Sequence, residues 1–391
     1  MTLNILIAPS GFKESIDAQQ VADCIGAGIG RILPDARITK APLVDGGEGF
    51  TKALVKATGG TLHSVRVTNP VGKKIDAHYG LLGNTNCKTA VVEMAAAAGL
   101  RHVPTDLRNP LVTTTYGVGE LISAALDEGV ERILVGCGDS GTNDGGAGMA
   151  QALGVKLLDS NSQQLGFGGG ELIELKQIDL SQRDPRLDRV QVDVACNWHN
   201  VLCGNEGVAK VFGPQKGASA ETVEEMALAL EHYATVIKKD LELEVKKLPG
   251  SGASGGLGTG LLALVGADLY PRYEIVMQYL ELDRLLTQVD LVITAEGCLD
   301  YQTPRGKIPA EVARRAKYYN LPVIALAGTI GQDAEINWQH GIDYFASILT
   351  HPCHLQEAIA DTANLLTDAA EGIARMLIVG RQIRHCTFDG W

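Results

Sequence analysis

The stretch Arg132–Ala150, RILVGCGDSGTNDGGAGMA, decides the fold. Its first part, Ile133, Leu134 and Val135, is a short apolar run of the kind a buried strand needs. Gly136, Gly138, Gly141, Gly145, Gly146 and Gly148 follow, interleaved with Ser140, Thr142, Asn143 and Asp144. Glycines admit positive φ and let backbone N–H groups approach a ligand. Successive N–H groups in such a turn form a concavity for an anion. A helix starting near Asn143 would add its positive N-terminus. The order strand, glycine turn, helix therefore suits a phosphate-bearing ligand. It also suits a tight turn with ordinary capping.

Outward from this stretch the pattern repeats. Residues 4–8 (NILIA) read as a strand, followed by Ser10, Gly11, Phe12, Lys13, Glu14 and Ser15, with Ser15 as a candidate cap for a helix over 18–32. Residues 37–43 read as a second strand, before Asp45-Gly46-Gly47-Glu48-Gly49 and a helix from about Phe50. Two acids among glycines can hold Mg²⁺ through oxygen, or can sit favourably on a helix N-terminus. Residues 62–67, 76–82 and 89–93 read as short strands, which puts a domain boundary near Gly60. Arg108-Asn109-Pro110 precedes Thr113-Thr114-Thr115-Tyr116-Gly117, where an arginine can grip a carboxylate and the threonines can cap a helix.

Residues 192–196 are a further strand, ending at Asn197. Lys216 stands between glycines in VFGPQKG, as a phosphate contact or a solvated lysine. A helix over 221–241 is scaffold. PGSGASGGLGTG, residues 249–260, is a second glycine-rich helix start without the Walker A pattern. Residues 289–294 form a buried-strand candidate followed by Glu296, Cys298, Asp300 and Lys307, at the strand end where open parallel sheets bind ligands. Strands over 323–327 and 344–348 and a helix over 355–378 complete the pattern.

Bulk composition narrows the function. The chain has 391 residues, more than one core usually holds. Its 46 glycines and 5% aromatics suit α/β layers with many turns. A net charge of −12 argues against nucleic-acid binding. No apolar stretch reaches membrane-spanning length, and residues 1–11 do not read as a signal peptide. Eight cysteines without C-x-x-C spacing read as reduced thiols of a cytoplasmic protein. His351, Cys353 and His354 lack the second cluster of a zinc site.

Taken together, FKES, DGGEG, RNP with TTTYG, TNDGGAGM, VFGPQKGA, PGSGASGGLG, EG-x-LD-x-Q with GK, and LPVIALAG resemble the bacterial type I glycerate kinases. The resemblance runs to about Ile378. It implies ATP-dependent, Mg²⁺-assisted phosphorylation of D-glycerate to a phosphoglycerate, with 2-phosphoglycerate expected. It also implies a discontinuous Rossmann-like domain, placed at residues 1–60 and 286–391, with a second α/β domain inserted at 61–285 and a cleft closing between them.

On this resemblance, ATP is expected at Gly138, Ser140, Thr142, Asn143, Asp144 and Gly145, and at Gly252, Ser254, Gly255 and Gly256. Asp45, Lys216, Asp300 and Lys307 are the expected catalytic residues. Lys13, Arg108 and Asn197 are expected to bind the substrate, and Asp45, Glu48 and Glu296 the metal. The expected partners are a small hydroxy acid and a second copy in a homodimer, with no nucleic acid and no membrane.

Several positions depart from the family pattern. Ser10 and Gly11 stand for Asp-Ser, Asp139 and Gly141 for Gly and Ala, Asn197 for Asp, and Ala295 and Cys298 for Gly and Arg. A different hydroxy acid, or a nucleotide-binding regulatory relative, is the alternative.

Overall fold

The computed structural model describes residues 2–12, 15–43 and 46–383. Lys13 and Asp45 lie outside the described residues. The strands in chain order are β1 (Asn4–Ile7), β2 (Arg37–Lys40), β3 (Thr61–Thr68), β4 (Lys74–Leu81), β5 (Thr89–Glu93), β6 (Arg132–Gly136) and β7 (Lys156–Leu158). They continue as β8 (Gln177–Asp179), β9 (Gln191–Cys196), β10 (Asp268–Pro271), β11 (Leu291–Leu299), β12 (Val323–Ile330) and β13 (Tyr344–Ser347). The chain forms two compact units, Met1–Val44 with Val276–Trp391, and Asp45–Ile275.

The first unit joins both ends of the sequence. Its sheet is wholly parallel in the order β13-β12-β11-β1-β2. This is a doubly wound order, with its switch point between β1 and β11. Helices Ala18–Ile32 and Thr362–Ile383 pack on one another. A Cβ at Gly28 would overlap the Thr367 carbonyl oxygen, so glycine sets how closely they approach. Ile5, Ile7, Ile25, Ile29, Leu366, Ala370 and Ile373 share this core.

The first helix is capped by Asp17, not Ser15. The Asp17 carboxylate accepts from Gln20 N–H at 2.8 Å, and Gln20 answers with a bond to the Asp17 N–H at 3.0 Å. Ser15 instead donates to the Ile359 carbonyl at 2.9 Å. The final helical stretch is two helices, Leu355–Ala360 and Thr362–Ile383, broken at Asp361.

The second unit carries a six-stranded mixed sheet in the order β10-β9-β6-β5-β4-β3, with β7 and β8 as a separate hairpin. Within the six-stranded sheet the pairs β3–β4 and β4–β5 are antiparallel and the others parallel, and β7–β8 is antiparallel. Helix Phe50–Thr58 belongs to this unit, so the boundary falls at Val44/Asp45 and not near Gly60. The reason is packing: the helix buries Phe50, Thr51, Leu54 and Val55 toward β3, β4 and β5. At the other junction the boundary is at Ile275/Val276, ten residues before the position expected from sequence. Among the described residues no helix is long and apolar enough to cross a membrane.

Candidate functional site

Two groups of side chains stand at strand ends, one in each unit. In the second unit, the glycine segment after β6 packs directly on the segment after Gly250. Gly145 N–H donates to the Gly255 carbonyl at 3.0 Å. A Cβ at Gly255 would overlap the Thr142 carbonyl oxygen, and one at Gly256 would lie 2.9 Å from Gly145 Cα. Ser254, Gly255 and Gly256 take left-handed backbone at φ 51°, 73° and 85°.

The concavity of free amides expected from sequence is therefore absent at Gly145–Met149. Gly146 and Gly148 donate to Asp144 at 3.2 Å each, and Ala147 donates to the Asp144 carbonyl at 2.9 Å. Met149 N–H goes to Thr115 Oγ1 at 2.9 Å. The helix begins at Ala147 rather than near Asn143, and it has only 6 residues. Thr142, Asn143 and Asp144 are wholly buried. What these glycines accommodate is a neighbouring backbone.

Asp144 is the centre of this packing. Burial pushes its carboxyl up, opposed by bonds from Thr115, Gly148 and Gly146. Lys216, expected to meet phosphate, is 2% exposed and reaches inward. Its Nζ donates to Ser140 Oγ at 2.8 Å, Thr142 O at 2.7 Å and Asn143 Oδ1 at 3.0 Å. Burial lowers its pKa to about 7, with Asp144 acting to raise it.

The loop is most open at its start, where Asp139 is exposed and Gly138 partly so. Asp139 Oδ2 accepts from Glu48 N–H at 2.9 Å, and the Glu48 carboxylate pairs with Arg101. Arg108 is half-buried, with Gly217 packed on its backbone. Asn197 makes a local turn, its Oδ1 accepting from His199 N–H at 3.1 Å. Gly252 packs against Val201, where a Cβ would overlap the carbonyl oxygen.

Sequence reasoning missed Glu93. It is 1% exposed and accepts from Gly49 N–H and Thr51 N–H, both at 3.1 Å, at the start of helix Phe50–Thr58. Burial pushes its carboxyl up to about 7. An acid closing the apolar run TAVVE was the available signal.

In the first unit, the carboxyl ends of β1 and β11 meet at the switch point. Ser10 donates from N–H and Oγ to the Ala295 carbonyl, at 2.8 and 3.0 Å. Beyond it, Lys307 Nζ lies 3.1 Å from the Cys298 carbonyl, 3.4 Å from Asp300 Oδ1 and 3.8 Å from Glu296 Oε2. Burial acts to raise the Asp300 carboxyl, but the Gln302 N–H and Lys307 outweigh it and hold it below its usual value. Burial, then Asp300, pushes the Cys298 thiol up. Gly297 has no atom within 4 Å of where a Cβ would sit, and its φ is not in the left-handed region. Neither packing nor backbone requires glycine there.

Two carboxylates beside one ammonium, all partly open to solvent, are oxygen donors of the kind Mg²⁺ takes. Among the described residues no three His, Cys, Asp or Glu side chains converge as a metal-holding group. His351, Cys353 and His354 accordingly form no such group.

A family model described as the glycerate kinase family matches residues 5–378. A glycerate kinase of Halalkalibacterium halodurans is 48% identical over 95% of this chain and 97% of its own. A glycerate 2-kinase of Escherichia coli is 47% identical over 97% and 99%. A crystal structure from Salmonella typhimurium LT2, described as a glycerate kinase 2, superposes with a TM-score of 0.84 at 45% identity, covering 98% of this chain and 100% of that one. With these matches spanning both units, the chain belongs to the glycerate kinase family.

Proposed function

We propose that this chain transfers a phosphoryl group from ATP to a hydroxyl of D-glycerate, giving a phosphoglycerate, with 2-phosphoglycerate as the expected product. Family membership and the names of the relatives support it. The structural observation that carries it is Lys307, set beside Asp300 and Glu296 at the carboxyl end of β11.

Phosphoryl transfer depends on positioning and on offsetting charge more than on covalent chemistry by the protein. Lys307 is aimed at that strand end by the Cys298 carbonyl, and it would offset charge growing on the transferred oxygens. Asp300, held ionised, would accept a hydrogen bond from the acceptor hydroxyl and orient it. Its lowered pKa suits orientation better than strong proton abstraction. Asp45 is proposed in the same role from outside the described residues. Mg²⁺, when bound, would supply positive charge to offset that of the phosphate oxygens. Glu296 is the described carboxylate proposed to hold it, since Glu48 is engaged by Arg101. In the second unit Ser140 and Arg108 are the groups proposed to meet a ligand oxyanion, and the buried glycines and Lys216 support them. A cytoplasmic setting is proposed, supported by free thiols at Cys24, Cys87, Cys137, Cys196, Cys203, Cys298 and Cys353.

The test is ADP release from ATP and Mg²⁺ with D-glycerate, and product identification by phosphorus NMR. Turnover that depends on D-glycerate and yields 2-phosphoglycerate supports the proposal. No turnover with D-glycerate overturns it. A panel of other small hydroxy acids, run alongside, separates a kinase of different substrate from a regulatory relative.

A further inference from the structure

We infer that Lys216 is a positioning residue whose protonation state decides whether Ser140 can donate a hydrogen bond to an oxyanion of a bound ligand. This rests on the phosphotransfer proposal, which supplies the anionic ligands.

An ammonium has three N–H donors and no acceptor. Lys216 Nζ faces three oxygens, Ser140 Oγ at 2.8 Å, Thr142 O at 2.7 Å and Asn143 Oδ1 at 3.0 Å. All three donors are thus engaged inside the protein, and none remains for a phosphate. In this state Ser140 Oγ accepts from the lysine, and the hydroxyl hydrogen is free to point elsewhere.

Loss of one proton leaves two N–H groups and a lone pair. The Thr142 and Asn143 oxygens are carbonyls, which can only accept. The Asn143 amide is oriented by its Nδ2, which donates to Met226 Sδ at 3.6 Å. The two remaining N–H groups stay on these carbonyls. Ser140 alone of the three can donate to the lone pair, so its hydrogen turns inward. The hydroxyl then offers a ligand only lone pairs, which repel an oxyanion.

Burial places this chemistry at an edge. Thr142 and Asn143 are wholly buried and Lys216 is 2% exposed, whereas Ser140 keeps 9% and adjoins exposed Asp139. Ser140 is the least buried member of the network. The other charged or titratable groups around it are few. Asp144 lies on the same loop and accepts from four donors. Tyr233, from helix Ala220–Leu241, donates to the Gly145 carbonyl at 3.3 Å, and burial pushes its hydroxyl up. Arg108 lies against Gly217. Asp139 follows Gly138 and faces the Glu48 N–H. Burial brings the lysine to about 7, against the pull of Asp144, so the change falls within a working pH range.

The experiment is calorimetric titration of the full chain with ADP and, separately, with D-glycerate, from about pH 6 to about pH 8.5, a window spanning the lysine's two states. The wild type is compared with Ser140→Ala, which removes one hydroxyl. The ligand's own ionisation cancels in the ratio of the two affinities. That ratio is expected to fall about tenfold across the range for one of the ligands, about one hydrogen bond to a charged group. ADP identifies a phosphate oxygen as the partner and D-glycerate a carboxylate. In the Lys216→Arg background, charged at every pH, the ratio of affinities with and without Ser140→Ala is expected not to change with pH. A ratio flat with pH for both ligands overturns the inference, as does binding of neither at any pH. D-glycerate turnover is measured beside this. Its absence overturns the phosphotransfer proposal, whereas a flat ratio in an active enzyme overturns only the role of Lys216.

Discussion

Thr115 holds Asp144 by two bonds to a single oxygen: its backbone N–H and its hydroxyl donate to Oδ2 at 2.8 and 2.9 Å. The same hydroxyl accepts from Met149 N–H at 2.9 Å. The TTTYG and TNDGG segments are therefore one assembly, closed by a carboxylate that caps amides on both. Removing that carboxylate leaves buried donors unanswered. Asp144→Ala is expected to lower unfolding free energy by about 3–5 kcal/mol, the range for breaking a buried charged network. Thr115→Val is expected to cost about 2 kcal/mol. The double variant should lose less than the sum, because the two share bonds. Urea unfolding of the three variants checks both values and their non-additivity.

Glu93 gives a pH signature. Its folded pKa is pushed up to about 7 from 4.5, by burial first. Between those values the folded chain keeps a proton that the unfolded chain has released. Stability from this group is therefore present at low pH and lost as pH rises toward about 7. Glu93→Gln cannot titrate. The wild-type advantage over that variant should shrink by about 3 kcal/mol between pH 4 and pH 7.5, from 1.36 kcal/mol per pKa unit. Unfolding free energies at both pH values measure it; a constant difference would contradict it.

Two glycines should behave oppositely. An alanine at Gly255 would overlap the Thr142 carbonyl and sit at φ 73°, so Gly255→Ala is expected to cost several kcal/mol, about 3 or more, or to prevent folding. Gly297→Ala meets nothing within 4 Å and should change Tm by no more than about 2 °C. If the open space at Gly297 belongs to a ligand, the same variant should lower kcat/KM about tenfold or more. Thermal melting and steady-state kinetics on both variants separate packing from access.

Lys307 is partly exposed, and among the described residues its Nζ bonds closely to one carbonyl and one carboxylate. Lys307→Met should therefore leave stability within about 1 kcal/mol while lowering kcat about 100-fold. A variant with unchanged kcat would remove Lys307 from the chemistry.

Much of this was legible along the chain. The helix Ala18–Ile32 has the bounds expected for it from sequence. β5 likewise runs from Thr89 to Glu93 as expected. β10 was missed because four residues, DLYP, carry no alternation to recognise. Ser15 looked like a cap because serine is a common one, but Asp17 had Gln20 three residues on, the stronger local signal.

From the sequence alone came the alternation of strands and helices, the glycine turns at strand ends, and the family those motifs belong to. Each depends on neighbours a few residues away, which spacing reports directly. Only the tertiary structure decided what the turns do. Gly145 donates to a carbonyl of Gly255, and Lys216 turns inward to oxygens more than seventy residues back. An amide or ammonium has few hydrogen-bonding positions. Whether they face a ligand or another part of the chain is set by segments far apart in sequence, and by how completely their packing excludes water.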